Sequence, residues 1–296
     1  RKLGTETEDV LVASTGVIGM PLPMERIRPA IDALILRPEG GQELARAMMT
    51  TDTFPKQAAV AAEGFIIGGV AKGSGMIHPE LATMLAFLAT DAALQPDFLS
   101  SALREAVDDS FNMITVDGDT SPNDSVLLMA NGLAGGDPIG SRSPQAGAFQ
   151  EALKQVCMHL AKAVVRGGEG ATRLIEVTVE GAPTPEQARR AARTIAGSPL
   201  VKAAVHGADP NWGRIIAALG RSGADIEEAR LELYLEGLCL MRAGLPQPFP
   251  GDAAEALLSQ GEVPIRVNLN LGSARATAWG CDLSPEYVTM NSAYTT

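Results

Sequence analysis

The sequence predicts an α+β fold in which antiparallel or mixed sheets carry helices on their outer faces. Apolar and polar residues alternate over 175–180, 231–236 and 265–271, which is typical of half-buried strands. A long amphipathic stretch over 146–165 predicts a helix that ends at Gly167. Because helices and strands do not alternate strictly along the chain, a purely parallel sheet is disfavoured.

The first fifty residues predict short elements separated by turns. Residues 10–13 are an apolar run that predicts a strand, and Ser14-Thr15-Gly16 predicts the tight turn that ends it. A helix is expected to start near Met24, after two prolines, and residues 42–49 have a helical pattern. Residues 50–53 then lead to Pro55 as a turn or an extended segment.

The middle of the chain begins with a glycine-rich segment over residues 64–75, for which a tight backbone turn is one of two interpretations. Apolar residues at helical spacing over 79–92 predict a helix directly after it, and 102–107 predicts another. Strands are expected at 111–116 and at 126–130, with a polar turn between them.

A helix start is marked at Thr184. It is followed by Pro185 at the first helical position and by Gln187 three residues on, which is a capping-box arrangement. Gly197 is expected to end that helix.

Composition narrows the class of protein. The chain has 296 residues, of which 46% are hydrophobic and 20% charged, so it can bury a core and is not a disordered chain. A net charge of −11 repels phosphate backbones and anionic lipid, and 4% aromatic residues provide few surfaces for base stacking. We therefore expect no nucleic-acid partner and no membrane partner.

The cysteines and histidines are scattered and have no metal-ligand spacing, so neither a disulfide framework nor a metal site is expected. They are Cys157, Cys239, Cys281, His78, His159 and His206. Three isolated cysteines and the absence of a recognisable signal peptide predict a reducing, cytoplasmic compartment.

The segment GGVAKGSG around Lys72 resembles a phosphate-binding loop but does not match one. A P-loop requires the lysine directly after its last glycine, and here Lys72 precedes Gly73. The dinucleotide pattern GxGxxG also fails, because His78 stands at its last position. A tight turn remains one interpretation of the segment, and Lys72 remains a candidate functional cation.

Asp117-Gly118-Asp119 follows an apolar strand and resembles the aspartyl-phosphate motif of Mg²⁺-dependent phosphatases. Paired aspartates could there act as nucleophile and acid while holding the metal ion. The alternative is an Asx-rich turn between two strands. The local pattern leaves both open.

Thr83 follows the small residue Ala82 and begins an apolar stretch. It could be an ordinary threonine at a helix start. In the functional interpretation, its hydroxyl attacks the preceding carbonyl in an N-to-O acyl shift, and hydrolysis frees Thr83 as a new N-terminus. A free α-amine ordinarily has a pKa of about 7.7–8.0, so it can act as general base for the hydroxyl of the same residue. Such an enzyme needs no catalytic histidine.

Seven collinear segments together resemble the ornithine acetyltransferase (glutamate N-acetyltransferase) family. They are residues 13–27 (ASTGVIGMPLPMERI), 49–56 (MTTDTFPK), 67–92, 111–125, 167–177, 198–215 and 280–296. The resemblance covers essentially the whole chain and includes the DGDTSPND turn, which strongly disfavours the phosphatase alternative.

The resemblance implies a role for each matching residue. Thr83 corresponds to the nucleophile freed by cleavage of the Ala82–Thr83 bond, and Thr15 and Gly16 correspond to an oxyanion hole. The positions that hold the amino-acid substrate correspond to Thr50, Lys72, Thr83, Glu169, Asn291 and Thr296.

The implied reaction is a ping-pong transfer of acetyl from N2-acetylornithine to glutamate through an acetyl-threonine, in arginine biosynthesis and without a cofactor. The resemblance leaves open whether acetyl-CoA is a second acetyl donor. The implied fold is a layered α/β/β/α-type sandwich of the N-terminal-nucleophile kind. A self-processing amidase or aminopeptidase of the same architecture, and a non-catalytic relative, are the alternatives.

The resemblance also implies how the chain is divided. Residues 1–82 would be the C-terminal part of an α chain, since the family has a longer segment before residue 13, and residues 83–296 would be the β chain. Two α and two β chains are expected to form a heterotetramer.

Overall fold

A computed structural model describes residues 4–78 and 84–293. Its helices are α1 (Met24–Ala33), α2 (Gly41–Ala47), α3 (Pro96–Asp108), α4 (Ala146–Arg166), α5 (Pro185–Ala196), α6 (Pro199–His206), α7 (Trp212–Gly220), α8 (Gly251–Leu258) and α9 (Pro285–Ala293). Its strands are β1 (Lys56–Ala62), β2 (Phe65–Lys72), β3 (Leu85–Thr90), β4 (Ile114–Thr115), β5 (Ser125–Ala130), β6 (Leu174–Ala182), β7 (Glu232–Leu235), β8 (Leu238–Arg242), β9 (Leu245–Pro246), β10 (Glu262–Asn268) and β11 (Ala274–Cys281). Short 3-10 helices lie at Thr7–Asp9, Phe111–Met113 and Glu228–Arg230.

The strands form two mixed sheets. The four-stranded sheet has the order β1-β2-β3-β5, with antiparallel pairs except for the parallel pair β3–β5. The seven-stranded sheet has the order β4-β11-β6-β10-β7-β8-β9, in which β4–β11 and β6–β10 are parallel. This confirms the predicted α+β class and its layered sandwich of sheets and helices.

Helix α4 packs along β1 and β2 and also contacts β4, β6 and β11, so it touches both sheets. Its apolar side is fully buried, and Phe149 contacts the rings of Phe65 and Phe98 at centroid distances of 5.5 and 5.8 Å. Helix α5 covers β6 and β11. Burial of these apolar faces is the main term that stabilises the fold.

The predicted helices of the second half are confirmed. Helix α4 ends at Gly167, and α5 begins at the cap residue Thr184, whose hydroxyl accepts a hydrogen bond from the Gln187 amide at 3.3 Å. Gly197 ends α5. Glycine, proline and capping signals therefore located these boundaries correctly.

The turn interpretation of the glycine-rich segment is wrong for residues 65–72, because they form strand β2. Glycine serves there for close packing: a Cβ at Gly69 would lie 2.4 Å from Leu88 and 3.1 Å from Leu160. The helix expected over 79–92 is also wrong where the structure describes it, since 85–90 form β3. A short apolar run fits either a buried strand or a helix, and the sheet neighbours decide between them.

The strand expected at 10–13 is not formed, because these residues pair with no strand in the described ranges. Val10, Leu11 and Val12 are exposed. The strand expected at 111–116 is shortened to β4, since residues 111–113 form a 3-10 helix. Within 4–78 and 84–293, no helix has the length and apolar character to cross a membrane.

Candidate active site

A cavity of about 660 Å³ lies between the segment around Thr15, the end of β2 and the first turns of α9. Six residues assigned to the site from sequence line it together: Thr15, Gly16, Thr50, Lys72, Glu169 and Asn291. Thr83, the Ala82–Thr83 bond and Thr296 lie outside the described residues, so their place in the site stays a prediction. The fold thus brings together side chains that are widely separated in the sequence.

Lys72 is the cation of this cavity within the described part of the chain. It ends β2 with its side chain buried, and its ammonium donates a hydrogen bond to Thr50 Oγ1 at 3.3 Å. Burial lowers the pKa of Lys72 below its ordinary value, and the nearby Asp52 carboxylate offsets part of this effect. A largely desolvated ammonium is suited to pairing with a carboxylate of a ligand.

A buried ion pair lies beneath Lys72. Lys56 Nζ is 2.5 Å from Asp52 Oδ1, and both side chains are fully buried. The Asp52 carboxylate also accepts hydrogen bonds from the amides of Gly73 at 2.8 Å and Thr50 at 3.0 Å. Burial alone would raise the pKa of Asp52, but the Gly73 amide and the Lys56 ammonium outweigh it and hold the pKa below its ordinary value. Asp52 thereby fixes the backbone beside Lys72, through Gly73, and the backbone of Thr50, whose hydroxyl accepts the hydrogen bond from Lys72.

Glu169 follows the end of α4, and each oxygen of its carboxylate accepts a hydrogen bond from another side chain. Oε1 accepts from the Thr51 hydroxyl and Oε2 from the Asn291 amide, each at 2.8 Å. Its own backbone amide donates to the Ser74 carbonyl at 2.8 Å. A Cβ at Gly75 would lie 2.6 Å from Oε2, so glycine is needed to leave space for the carboxylate. A carboxylate oriented in this way can receive an ammonium group of a ligand.

The turn after β4 forms another wall of the cavity. Asp117 accepts hydrogen bonds from the amides of Met76 at 2.6 Å and Ile77 at 3.0 Å, one on each oxygen. Burial raises the pKa of Asp117 above its ordinary value, although these amides oppose the shift. Tyr287 of α9 hydrogen-bonds Asp117 and lines the cavity. Asp117 Oδ1 also accepts from the Asp119 amide at 3.3 Å, which is the bond of an Asx turn, the alternative that the sequence left open.

Among the described residues, no cluster of metal-binding side chains accompanies this turn. Within residues 4–78 and 84–293, no group of three or more His, Cys, Asp or Glu side chains is arranged to hold a metal ion. With both oxygens of Asp117 bonded to backbone amides, the phosphatase alternative has no support from this geometry.

Thr15 and Gly16 lie in a segment without regular secondary structure and line the cavity opposite the buried charges. The segment is tied down by Asn123, whose amide donates to the Ser14 carbonyl at 2.6 Å. Both residues line the same cavity as Lys72, and a threonine hydroxyl and a backbone N–H are the kinds of donor that the predicted oxyanion hole needs.

The beginning of β3 lies beside the cavity. Its first residue, Leu85, pairs with Lys72 on one side and Ser125 on the other. The preceding residue, Met84, donates its amide to Asp124 Oδ1 at 2.6 Å and accepts from the Ser125 amide at 3.0 Å. Burial raises the pKa of Asp124 to about 7, against the opposing effects of the Met84 amide and Lys72.

The sequence analysis missed several of these side chains. Thr51 and Asp52 directly follow Thr50 in a segment that was interpreted as a turn, so only their neighbourhood pointed to the site. Tyr287 precedes Asn291 by four residues in one helix, and this spacing places both on one face. That signal could have identified Tyr287. None of the three histidines, all within the described ranges, lines the cavity.

The sequence pattern of the ArgJ family matches residues 1–296. The arginine biosynthesis bifunctional protein ArgJ of Symbiobacterium thermophilum is 56% identical over 300 residues, which cover 99% of this chain and 75% of the relative. The protein of the same name from Dehalococcoides mccartyi is 53% identical and covers 99% and 74%, respectively.

A solved structure agrees with these relatives. The crystal structure of the arginine biosynthesis bifunctional protein ArgJ from Bacillus halodurans superposes with a TM-score of 0.68 at 42% sequence identity. The match covers 69% of this chain and 96% of that chain. From the whole-length family match and from relatives more than half identical, we conclude that this chain belongs to the ArgJ family.

Proposed function

We propose that the chain is a self-cleaving acetyltransferase of arginine biosynthesis that moves the acetyl group of N2-acetylornithine to glutamate. The observation that carries this proposal is the pair of opposite charges in one cavity, Lys72 and Glu169, each held by its own hydrogen bonds. An amino acid presents a carboxylate and an ammonium, and these two side chains complement them. Membership of the ArgJ family supports the same activity.

Activation begins at the Ala82–Thr83 peptide bond. The Thr83 hydroxyl adds to the Ala82 carbonyl carbon, the C–N bond breaks, and the acyl group passes to the hydroxyl oxygen. Water then hydrolyses this ester and leaves Ala82 with a carboxylate and Thr83 with a free amine. The products are an α chain ending at residue 82 and a β chain of residues 83–296.

Transfer follows in two half-reactions on the Thr83 hydroxyl. Its proton goes to the freed amine while the oxygen adds to the acetyl carbon of the donor, and Thr15 and Gly16 stabilise the resulting oxyanion. The C–N bond of the donor breaks, ornithine leaves with the proton, and an acetyl ester remains. Glutamate then enters the same cavity, and its neutral amine adds to the carbonyl carbon of the acetyl ester and gives a proton to the Thr83 amine. The ester C–O bond breaks, the Thr83 oxygen takes that proton back, and acetylglutamate leaves.

Each remaining residue of the proposed site has a binding role. Lys72 pairs with the substrate carboxylate, Glu169 with an ammonium, and Thr50, Asn291 and Thr296 fix the orientation of the amino acid. No cofactor takes part in these steps. The curated relatives are named bifunctional, and acetyl-CoA is the second donor to be assayed.

The proposed assembly is a cytoplasmic heterotetramer of two α and two β chains. Each α chain would be held to its β chain by the four-stranded sheet. In this sheet β2 of the α chain pairs with β3 of the β chain over six residue pairs. Breaking the chain before Thr83 leaves this pairing in place.

The test starts with a denaturing intact-mass spectrum of the purified chain. Pieces of 82 and 214 residues, the larger beginning at Thr83, are expected. Acetyl transfer from N2-acetylornithine to glutamate is then measured for the chain and for Thr83→Ala, which should abolish both cleavage and transfer. Thr194→Ala on α5 is the control, since among the described residues its hydroxyl bonds to the Arg190 carbonyl of the same helix.

The products separate the alternatives. Acetate release without acetylglutamate would indicate the self-processing amidase or aminopeptidase. An uncleaved, inactive chain would indicate a non-catalytic relative. Transfer by a well-folded Thr83→Ala protein would contradict the proposed nucleophile.

A further inference from the structure

Asp282 is a buried carboxylate outside the cavity lining of the described residues, and the proposed function gives it no role. Its Oδ1 accepts hydrogen bonds from the backbone amides of Thr172 at 2.7 Å and Arg173 at 2.8 Å. Its Oδ2 accepts from the Thr172 hydroxyl at 2.6 Å and from His206 Nδ1 at 2.7 Å. The side chain therefore joins the segment after β11 to the segment before β6 and to the end of α6.

The segment before β6 carries Glu169. Residues 167–173, here named the Glu169 loop, connect the end of α4 to β6. Asp282 binds the last two residues of this loop through its carboxylate, and its backbone amide donates to the Arg173 carbonyl at 3.2 Å. Thr172 lies three residues after Glu169, so this anchor limits how far the Glu169 backbone can move.

The link between β11 and α9 binds the same loop at a second point. Ser284 donates its hydroxyl to the Gly170 carbonyl at 2.6 Å and accepts the Tyr287 amide, in the first turn of α9, at 3.3 Å. Gly170 has a φ of +67°, and a Cβ there would lie 2.5 Å from the Tyr287 nitrogen, so glycine is required for this close approach. Helix α9 also carries Asn291, whose amide donates to Glu169 Oε2. The link therefore holds the two partners of that hydrogen bond against each other.

Helix α6 is bound to the same link. It lies in residues 198–215, a segment to which the family resemblance assigns no role. The Lys202 ammonium donates to the Cys281 carbonyl, and the Lys202 carbonyl accepts from the Leu283 amide at 3.3 Å. The Arg173 guanidinium donates to the carbonyls of the last two residues of the helix, as cations at helix C-termini commonly do. All of α6 is described and none of it lines the cavity, so this helix supports the site from outside it.

Asp282 makes these bonds as an anion. Burial alone would raise the pKa of Asp282, but the hydrogen bonds from Thr172, His206 and the Arg173 amide outweigh it and hold the pKa below its ordinary value. An ionised carboxylate accepts hydrogen bonds on both oxygens, whereas an asparagine has a single acceptor oxygen. An uncharged amide at this position therefore cannot accept all of the bonds described.

We propose that Asp282 is a positioning residue for the amino-acid site: it holds the Glu169 loop against the start of α9 and thereby sets the place of the Glu169 carboxylate that receives an ammonium of the substrate. The inference rests on the proposed function. The proposed oxyanion donors, Thr15 and Gly16, lie in a separate segment that is bound by Asn123 instead. Loss of the Asp282 bonds is therefore expected to weaken binding of the amino acid and to leave the chemical step largely unchanged.

The experiment compares the wild-type chain with Asp282→Asn in two measurements, ornithine binding by titration calorimetry and steady-state acetyl transfer. We expect the Kd for ornithine and the KM for both substrates to rise about 10-fold, with kcat within about threefold of wild type. Thr172→Val removes the hydroxyl bond to Asp282 Oδ2 and keeps the backbone amide bond, so a rise of about threefold in the same constants is expected.

Asp109→Asn is the matched control. Asp109 is a partly buried carboxylate at the end of α3 that pairs with Lys154 Nζ at 2.6 Å and with Arg189, outside the cavity lining. Its loss should lower the free energy of unfolding in denaturant titrations, as the loss of Asp282 should, without changing Kd or KM. Equal rises in KM for Asp109→Asn and Asp282→Asn would reduce the role of Asp282 to general stability and refute the inference.

The outcomes separate this inference from the proposed function. A wild-type chain that neither binds ornithine nor transfers acetyl would refute the proposed function, and this inference with it. A wild-type chain that binds ornithine without transfer would refute the transfer reaction alone, and the binding measurements then decide the inference. Unchanged Kd and KM in a folded Asp282→Asn protein would refute the inference alone. Should Asp282→Asn not fold, Thr172→Val decides, because constants equal to those of wild type contradict the proposal.

Discussion

The floor of the cavity is made of buried, hydrogen-bonded side chains, whereas its rim is a segment without regular secondary structure. The floor consists of Lys72 and Glu169, supported by the Asp52–Lys56 pair, and all four side chains are buried. They are bound to one another, to backbone amides or to neighbouring polar side chains. The rim is the segment of residues 14–18, which has no regular structure and is tied to the turn after β4 through Asn123.

The difference separates recognition from chemistry. The proposed charge pairing with an amino acid is preorganised by the floor, since Lys72 and Glu169 are held by protein hydrogen bonds before any ligand enters. The proposed oxyanion donors, Thr15 and Gly16, depend on a segment with few internal contacts. Substitutions in the floor should therefore alter binding and stability, and those in the rim should alter turnover.

The largest effect is expected for Lys72→Met, which removes the cation that faces the cavity. We expect kcat/KM for N2-acetylornithine and glutamate to fall by about 10³-fold, or about 4 kcal/mol, mainly through KM. Steady-state transfer kinetics measure this. Lys162→Met on α4 is the control, because Lys162 pairs with Glu176 and stacks on Trp279 outside the cavity lining. Equal losses of kcat/KM in both variants would contradict the role of the floor in substrate binding.

The next effect is on stability. Asp52→Asn leaves the Lys56 ammonium buried without a charged partner, so the free energy of unfolding should fall by about 3 kcal/mol in denaturant titrations. Because the folded-state pKa of Asp52 is depressed, its contribution is present above its ordinary pKa and is lost as pH falls through the lower folded value. Wild type and Asp52→Asn should therefore converge in strong acid. The double variant Asp52→Asn/Lys56→Met should recover part of the loss.

A smaller effect of opposite sign is expected for Asp124→Asn. The folded-state pKa of Asp124 is raised, so between about pH 4 and 7 the folded chain holds a proton that the unfolded chain has released, and stability falls as pH rises. The full linkage of this shift is about 4 kcal/mol, but solvent screens the partly exposed carboxylate, so above pH 7 the variant should be more stable than wild type by about 1–2 kcal/mol. The difference should vanish near pH 4. Thermal unfolding at pH 4 and pH 8 measures this. A variant less stable at pH 8 would show that the charge is fully compensated in the fold.

The smallest effect is expected at the rim. Asn123→Ala releases the Ser14 carbonyl and should lower kcat about fivefold, or about 1 kcal/mol, with little change in KM. Asn131→Ala is the control, since the side chain of Asn131 also bonds the backbone, accepting from the Leu133 amide in an exposed loop. A change in KM with an unchanged kcat in Asn123→Ala would instead show that the rim takes part in substrate binding.

Part of this architecture was accessible from sequence. The long α4 and the capped α5 follow from periodicity and from residues such as Thr184 and Gly197, whose conformational preferences are local. The segments around β2 and β3 could not be assigned in this way. Gly69 is explained only by Leu88 and Leu160 packed against it, and no local signal contains that contact.

Even less of the site than of the fold could be predicted from local sequence signals. Thr50, Lys72, Glu169 and Asn291 come from separate segments, and only the family resemblance joined them before the fold was known. Asp52 was overlooked because a carboxylate in a turn-like segment ordinarily faces solvent. Its importance appears only when the burial of Lys56 and the amide of Gly73 are seen together.

The pairing of β2 with β3 has a practical consequence. These strands lie on either side of the proposed break, so the two pieces share one sheet and one binding cavity. Residues 1–82 and 83–296 could be encoded as separate genes and brought together inside one cell. Growth of an arginine-requiring host would then report whether the halves find each other, which makes this chain a natural starting point for a split-protein selection.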